Sequence, residues 1–159
     1  MKKLKLYLET TIWNFLFADD APEKKKITEK FFREITSGKY EIFISELVIA
    51  EIHDAPLVKR DKLLEKIQLY DPKELTSNRD VEELSKQYIS AKIVPQKHES
   101  DVIHIAFAVA HDLDVLVSWN LTHIVKLKTK LEVNGINKSH GYKEIEICTP
   151  EEVVESERT

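Results

Sequence analysis

The chain has 159 residues, of which 42% are hydrophobic and 33% charged, a composition typical of a globular protein with one domain. Its single cysteine excludes an internal disulfide framework and a cysteine-based zinc or iron–sulfur site. A net charge of −4 is not that of a passive nucleic-acid-binding protein, and three glycines leave no glycine-rich phosphate loop. No apolar run approaches the roughly 20 residues that span a bilayer, so we expect a cytoplasmic protein without membrane association.

Short apolar runs alternate with longer helical patterns, and this order predicts an α/β fold with a mostly parallel sheet. Strands are predicted at Leu4–Leu8, Glu41–Ser45 and Val115–Val117. The first of these alternates between apolar and polar residues, which is typical of a half-exposed strand, whereas the other two contain the continuous runs of buried strands. An edge strand is predicted around residues 145–147.

Helix boundaries are predicted from residues that cap or break helices. Pro22 suits the first turn of a helix that stops at Gly38, and Ser45 suits the N-cap of the next helix. The last ten residues carry four glutamates and one arginine. We therefore predict one domain over residues 1–149, followed by a short acidic helix or tail over residues 150–159. Further helix starts are predicted near Thr10, Pro56, Ser77, Ser100, Thr122 and Thr149.

Polar residues stand near the carboxyl ends of the predicted strands, where the crevice of a parallel α/β sheet lies. Glu9 directly follows the first strand, and Asn120 follows the third. Glu51 lies in the helix that leaves the second strand, and Asp101 lies in the first turn of the most apolar helix. Carboxylates brought together repel one another, and oxygen ligands select Mg²⁺ or Mn²⁺ rather than zinc. We predict that the three acids hold such an ion, with Asn120 assisting.

Four segments resemble the motifs of the PIN domain family. Leu6–Trp13 resembles the family's opening, where an acidic residue followed by two hydroxyl residues ends the first strand. Ser45–Ile52 is similar to the second motif, a glutamate in the helix after the second strand. Glu99–Ala106 resembles the third motif, an aspartate that opens a helix, and Val115–Ile124 resembles the fourth. The four segments follow the family's order and cover nearly the whole chain.

The resemblance implies a three-layer α/β/α sandwich and a metal-dependent phosphodiesterase that cleaves single-stranded RNA, with the four polar residues above as its catalytic set. Many bacterial members are toxins, so the implied partners are RNA, a cognate antitoxin protein and, in a homodimer, a second copy of the chain. Glu9 and Asn120 stand where the family usually has aspartates, as in a subgroup with Glu-Thr and Trp-Asn pairs. Nucleic-acid contacts are predicted for Thr10, His123 and Lys126.

Each of these residues also has an ordinary structural interpretation. Asp101 suits a helix N-terminus, Glu51 an exposed helix face and Asn120 a turn. His104 lies one helical turn after Asp101 and is interpreted as a core histidine, and His123 as a surface histidine. Two other functions remain open: a PIN-fold module that binds RNA or protein without cleavage, and a receiver-like regulator. Metal occupancy between the three acids would separate the nuclease from the binding module.

Overall fold

A sheet of parallel strands organises the fold in the computed structural model, which describes residues 2–154 of the chain. The strands pair in the order β3-β2-β1-β4-β5, so that β1 lies at the centre and every pair is parallel. The predicted parallel sheet is therefore confirmed. The strands are β1 (Leu4–Leu8), β2 (Tyr40–Ser45), β3 (Lys73–Leu75), β4 (Val115–Val117) and β5 (Glu146–Cys148).

Within the described range, α-helices connect each strand to the next, because parallel neighbours need a crossover. The result is the predicted three-layer α/β/α sandwich. None of the helices in this range has the length and apolar character of a membrane-spanning segment. The helices are α1 (Thr10–Asn14), α2 (Pro22–Thr36), α3 (Glu46–His53), α4 (Leu57–Tyr70), α5 (Arg79–Ser90), α6 (Glu99–Ala110), α7 (Leu127–Ser139) and α8 (Pro150–Val153).

Strand β1 is buried more completely than its alternating sequence predicts. Leu6, Tyr7 and Leu8 are 0% exposed, since β2 and β4 flank the strand within a three-layer fold. At the start of the strand, Leu4 is 48% exposed and Lys5 is half-buried. The prediction of a half-exposed strand is therefore wrong, because a central position buries the last three residues on both faces.

Side-chain caps set the start of two central helices. Ser45 caps α3 as predicted, since its Oγ accepts a hydrogen bond from the Leu47 amide at 3.2 Å. Helix α5 is capped instead by Asn78, whose Oδ1 accepts from the Val81 amide at 2.9 Å. The prediction of Ser77 as this cap is wrong by one residue, because the neighbouring asparagine is an equally strong cap.

Two other predicted helix starts are also wrong. A short 3-10 turn precedes α6 and places His98, rather than Ser100, at the N-cap of that helix. Thr122 lies in a turn segment, residues 121–126, and α7 starts only after it. The backbone carbonyl of Asn120 accepts hydrogen bonds from two amides of this segment, so the chain turns tightly after β4.

The edges of the sheet were partly predicted. β5 lies at one edge as expected, whereas β3 at the other edge was missed because its sequence, Lys-Glu-Leu, has no apolar pattern. Helix α8 forms as predicted at Pro150, which is buried, and packs against α2. Glu155 and Glu157 of the predicted acidic tail lie outside the described residues.

Asp114 joins the starts of three strands. Its Oδ2 accepts from the Lys5 amide at 2.8 Å, and its own amide donates to the Lys5 carbonyl at 3.0 Å. Its carbonyl accepts from the Glu146 amide at 3.3 Å, and its Oδ1 lies 3.0 Å from Lys143 Nζ. The hydrogen bond from the Lys5 amide, helped by the Lys143 charge, holds the pKa of Asp114 below its ordinary value.

Asp114→Asn should lower the free energy of unfolding at pH 7 by about 1 kcal/mol, because it weakens a charged hydrogen bond that solvent partly screens. Folding lowers the pKa of this carboxyl below its ordinary value of 3.8. Its contribution to the free energy of unfolding is therefore fully present above pH 3.8 and is lost as the pH falls through the folded-state pKa. Urea unfolding across a pH series measures the difference, which should shrink below pH 3.8. Asp112→Asn is the control, because its 79% exposed side chain pairs with the same Lys143 but accepts no hydrogen bond from β1. A loss of stability for Asp114→Asn that does not change with pH would contradict the prediction.

Candidate active site

Glu9 follows β1 at the carboxyl end of the sheet and is 4% exposed. Its Oε1 accepts three hydrogen bonds: from the Thr11 amide at 3.2 Å, the Thr11 hydroxyl at 2.6 Å and the Ser118 hydroxyl at 2.6 Å. Ser118 directly follows β4, so this carboxylate ties the ends of two neighbouring strands together. Within residues 2–154 no hydrogen bond is made to Oε2, which leaves that oxygen free for a ligand.

Glu51 is fixed in a buried chain of polar side chains. Its Oε1 accepts from the Thr10 hydroxyl at 2.5 Å and lies 2.7 Å from His104 Nε2. The other ring nitrogen of His104, Nδ1, is 2.6 Å from the Tyr7 hydroxyl, which is 2.7 Å from the Ser45 hydroxyl. His104, Tyr7 and Ser45 are all 0% exposed. The chain therefore uses both ring nitrogens of His104 and only one oxygen of Glu51.

This pairing keeps the glutamate ionised. Burial alone would raise the pKa of Glu51, but the hydrogen bond and charge of His104 outweigh it and hold the pKa below its ordinary value. Burial alone would lower the pKa of His104, but the bond to Glu51 and the charges of nearby acids hold that pKa above its ordinary value. Glu51 on α3 therefore keeps its negative charge at neutral pH.

Asp101 has the opposite electrostatic environment. Burial raises the pKa of its carboxyl, and an interaction with the Asn120 side chain opposes this only in part. Its Oδ2 is buried and has no hydrogen-bond partner among the described residues. A buried acid oxygen without a partner is costly, and such an atom is expected where a ligand supplies the missing contact.

The potential ligand atoms fall into two groups. Those of Glu9, Glu51 and His104 lie within 4.8 Å of one another, and those of Asp101 lie within the same distance of two histidines, His98 and His123. Helix α6 connects the groups, because it carries Asp101 and His104 one turn apart. The three acids predicted as metal ligands do not form one group of this kind within residues 2–154.

Asn120 connects the turn after β4 to Asp101. Its Oδ1 accepts from the His123 amide at 3.0 Å, which is the turn role that its position also suggested. Its side chain lowers the pKa of Asp101, as a hydrogen-bond donor to the carboxylate does. Asn120 therefore orients two neighbours, and its carbonyl oxygen is already in use.

The residues predicted to contact nucleic acid lie in different surroundings. Thr10 is 8% exposed and its hydroxyl donates to Glu51, whereas Lys126 is exposed at the N-cap of α7. His123 is half-buried, and its ring lies 4.2 Å from that of His98 between centroids. Sequence reasoning missed His98 altogether. It also missed that His104 pairs with Glu51, although the three-residue spacing from Asp101 was a usable signal.

Comparisons with known proteins support the fold. Neither a protein-family model nor a curated protein sequence matches the chain. A solved chain from the crystal structure of VapBC2 from Rickettsia felis, bound to a DNA fragment from their promoter, matches with a TM-score of 0.53. The fold is PIN-like. The match covers 92% of this chain and 98% of that chain at 12% sequence identity, so the likeness is evidence for the fold alone.

Tyr7→Phe should lower the free energy of unfolding by about 1–3 kcal/mol, because it leaves Nδ1 of the fully buried His104 without its partner. Thermal and urea unfolding measure the loss. Tyr142→Phe is the matched control, since that hydroxyl makes no hydrogen bond within residues 2–154, and its effect should stay below about 0.5 kcal/mol. Equal losses in the two variants would contradict the role given to the Tyr7 hydroxyl.

Asp101→Asn should leave the stability of the metal-free protein unchanged or raise it. The reason is that burial raises the pKa of this carboxyl, so its ionised form opposes folding at neutral pH. Asp114→Asn makes the same chemical change where the pKa is lowered and should act in the opposite direction. Urea unfolding in the presence of a chelator compares the two. If Asp101→Asn lowered the free energy of unfolding as much as Asp114→Asn does, the Asp101 carboxylate would be a structural helix cap rather than a ligand.

Proposed function

We propose that the protein is a metal-dependent ribonuclease that hydrolyses phosphodiester bonds in single-stranded RNA with Mg²⁺ or Mn²⁺. The observation that carries the proposal is a set of three acids near the carboxyl end of a PIN-like sheet, one buried and two half-buried, each with an oxygen that no described residue uses. These oxygens are Oε2 of Glu9, Oε2 of Glu51 and Oδ2 of Asp101.

Glu9 and Glu51, which belong to one group of ligand atoms, fit a hard divalent cation, because free carboxylate oxygens are the ligands that Mg²⁺ and Mn²⁺ prefer. Asp101 belongs to the neighbouring group. When bound, such an ion lowers the pKa of a water molecule and takes up phosphate charge. The protein supplies the orientation. Thr11 and Ser118 fix Glu9, while Thr10 and His104 fix Glu51, so neither carboxylate has to be ordered when the substrate arrives.

RNA would approach the site beside the start of α6. A cavity of about 520 Å³ opens there, and its lining includes Lys92, Glu99 and Lys128. Lys126 is exposed at the N-cap of α7, two residues before Lys128. We assign phosphate contacts to Lys126 and His123, as the sequence predicts. We assign Thr10 to the positioning of Glu51, since its hydroxyl is bound there.

A non-cleaving RNA-binding module is the second candidate, and Asn120 favours it. This residue carries no charge, and its carbonyl oxygen accepts from the His123 amide, so it does not replace a fourth acid. The site then has fewer negative charges to hold a second metal ion. The antitoxin partner, the homodimer and the boundary between residues 149 and 150 remain predictions from the sequence.

Cleavage of fluorophore-labelled single-stranded RNA tests the proposal. Wild-type protein should cleave it with Mn²⁺ or Mg²⁺ and not with chelator, and Asp101→Asn and Glu51→Gln should each lower the rate by about 100-fold or more. Asp112→Asn, beyond the opposite end of α6 from Asp101, is the matched control and should keep the wild-type rate. RNA binding without metal-dependent cleavage would support the binding module, and neither binding nor cleavage would contradict both functions.

A further inference from the structure

We propose that His98, Asp101 and His123 form a second cation site, which takes a first-row transition metal ion such as Zn²⁺ or Co²⁺ in preference to Mg²⁺. The site lies beside the acids of the proposed ribonuclease and shares Asp101 with them. It does not depend on RNA cleavage, because its ligand chemistry differs from that of the acid group.

The spacing of the three side chains suits a shared ion. Their ligand atoms lie within 4.8 Å of one another. Two ligands that each lie about 2.1 Å from a zinc ion are roughly 3–4 Å apart, so small side-chain rotations would complete the site. His98 and Asp101 stand three residues apart at the start of α6, and His123 comes from the turn segment.

The ligand atoms make no hydrogen bonds within the described residues. Neither the His98 ring nor the His123 ring makes a hydrogen bond within residues 2–154, and their centroids lie 4.2 Å apart at an interplanar angle of 36°. Oδ2 of Asp101, three residues after His98, is buried and has no hydrogen-bond partner among the described residues. Two free imidazoles beside an unpartnered acid oxygen form a three-ligand set with open positions, as in catalytic zinc sites.

The backbone positions both histidines before any ion binds. The His98 amide donates to the Pro95 carbonyl at 2.8 Å, and the His123 amide donates to Oδ1 of Asn120 at 3.0 Å. The His123 carbonyl accepts from the Thr129 hydroxyl at 2.6 Å. The turn segment is therefore fixed from both sides, and binding would require little reorganisation of the chain.

The two groups of ligands differ in what they can bind. In the acid group both ring nitrogens of His104 are already paired, with Glu51 and Tyr7, so that group offers free oxygens alone. At the second site two ring nitrogens are free, and imidazole favours zinc, cobalt and nickel over magnesium. Mg²⁺ keeps its waters and prefers oxygen ligands, so it would compete weakly here.

A Co²⁺ titration of the full-length protein, freed of metal by chelator, tests the proposal through the visible d–d absorption of the bound ion. Wild-type protein should bind a single spectroscopic equivalent that Zn²⁺ displaces and excess Mg²⁺ does not. His98→Ala and His123→Ala should each weaken Co²⁺ binding by about 10-fold or more. His140→Ala, beyond the far end of α7, is the matched control and should bind as wild type does.

Glu51→Gln separates this proposal from the ribonuclease. It should leave the Co²⁺ spectrum intact while it lowers the cleavage rate by about 100-fold or more, so that failure of one proposal is distinguishable from failure of the other. Far-UV circular dichroism checks that the variants are folded, and His98→Gln provides a second, more conservative variant. Absence of d–d bands in wild-type protein, or Co²⁺ affinity unchanged in folded His98 and His123 variants, would overturn the proposal.

Discussion

A buried histidine that must have both of its ring nitrogens paired organises the centre of this protein. His104 on α6 meets Tyr7 on β1 through one nitrogen and Glu51 on α3 through the other. Tyr7 in turn meets Ser45, which ends β2 and caps α3. Because an unpaired polar atom costs most where water is absent, these bonds fix four secondary-structure elements relative to one another. The network therefore positions Glu51 directly, and it positions Asp101 through α6, which carries Asp101 one turn before His104.

The acids beside this network are held in two different ways. Glu51 keeps its charge because a histidine pairs with it, whereas Asp101 has an oxygen for which the described protein provides no partner. The first arrangement contributes to the rigidity of the fold, and the second costs stability. A carboxyl group whose pKa is raised by burial is frequent at sites where the missing partner comes from outside the protein. In this respect Asp101 differs from Asp114, which the chain pairs completely.

The sequence alone predicted every described strand except β3, most helices and the position of Glu9 at the carboxyl end of β1, because a residue that directly follows an apolar strand must lie at its carboxyl end. It did not predict β3, whose three residues have no apolar pattern, or the turn segment at 121–126, where a tertiary turn replaces a local helix signal. The pair between His104 and Glu51 joins residues 53 positions apart. Periodicity places each of them on a helix but does not specify which partner each will meet, so this pairing required the three-dimensional structure.

The three hydrogen bonds to a single oxygen of Glu9 have a consequence for coordination. With Oε1 occupied by Thr11 and Ser118, this residue can act only as a monodentate ligand through Oε2. Glu51 is limited in the same way, since Thr10 and His104 both bind its Oε1. An ion with about six coordination positions that took one oxygen from each glutamate would keep roughly four for other donors. Most of its inner sphere would then be exchangeable, and water and phosphate oxygens could enter and leave while the protein ligands stayed in place.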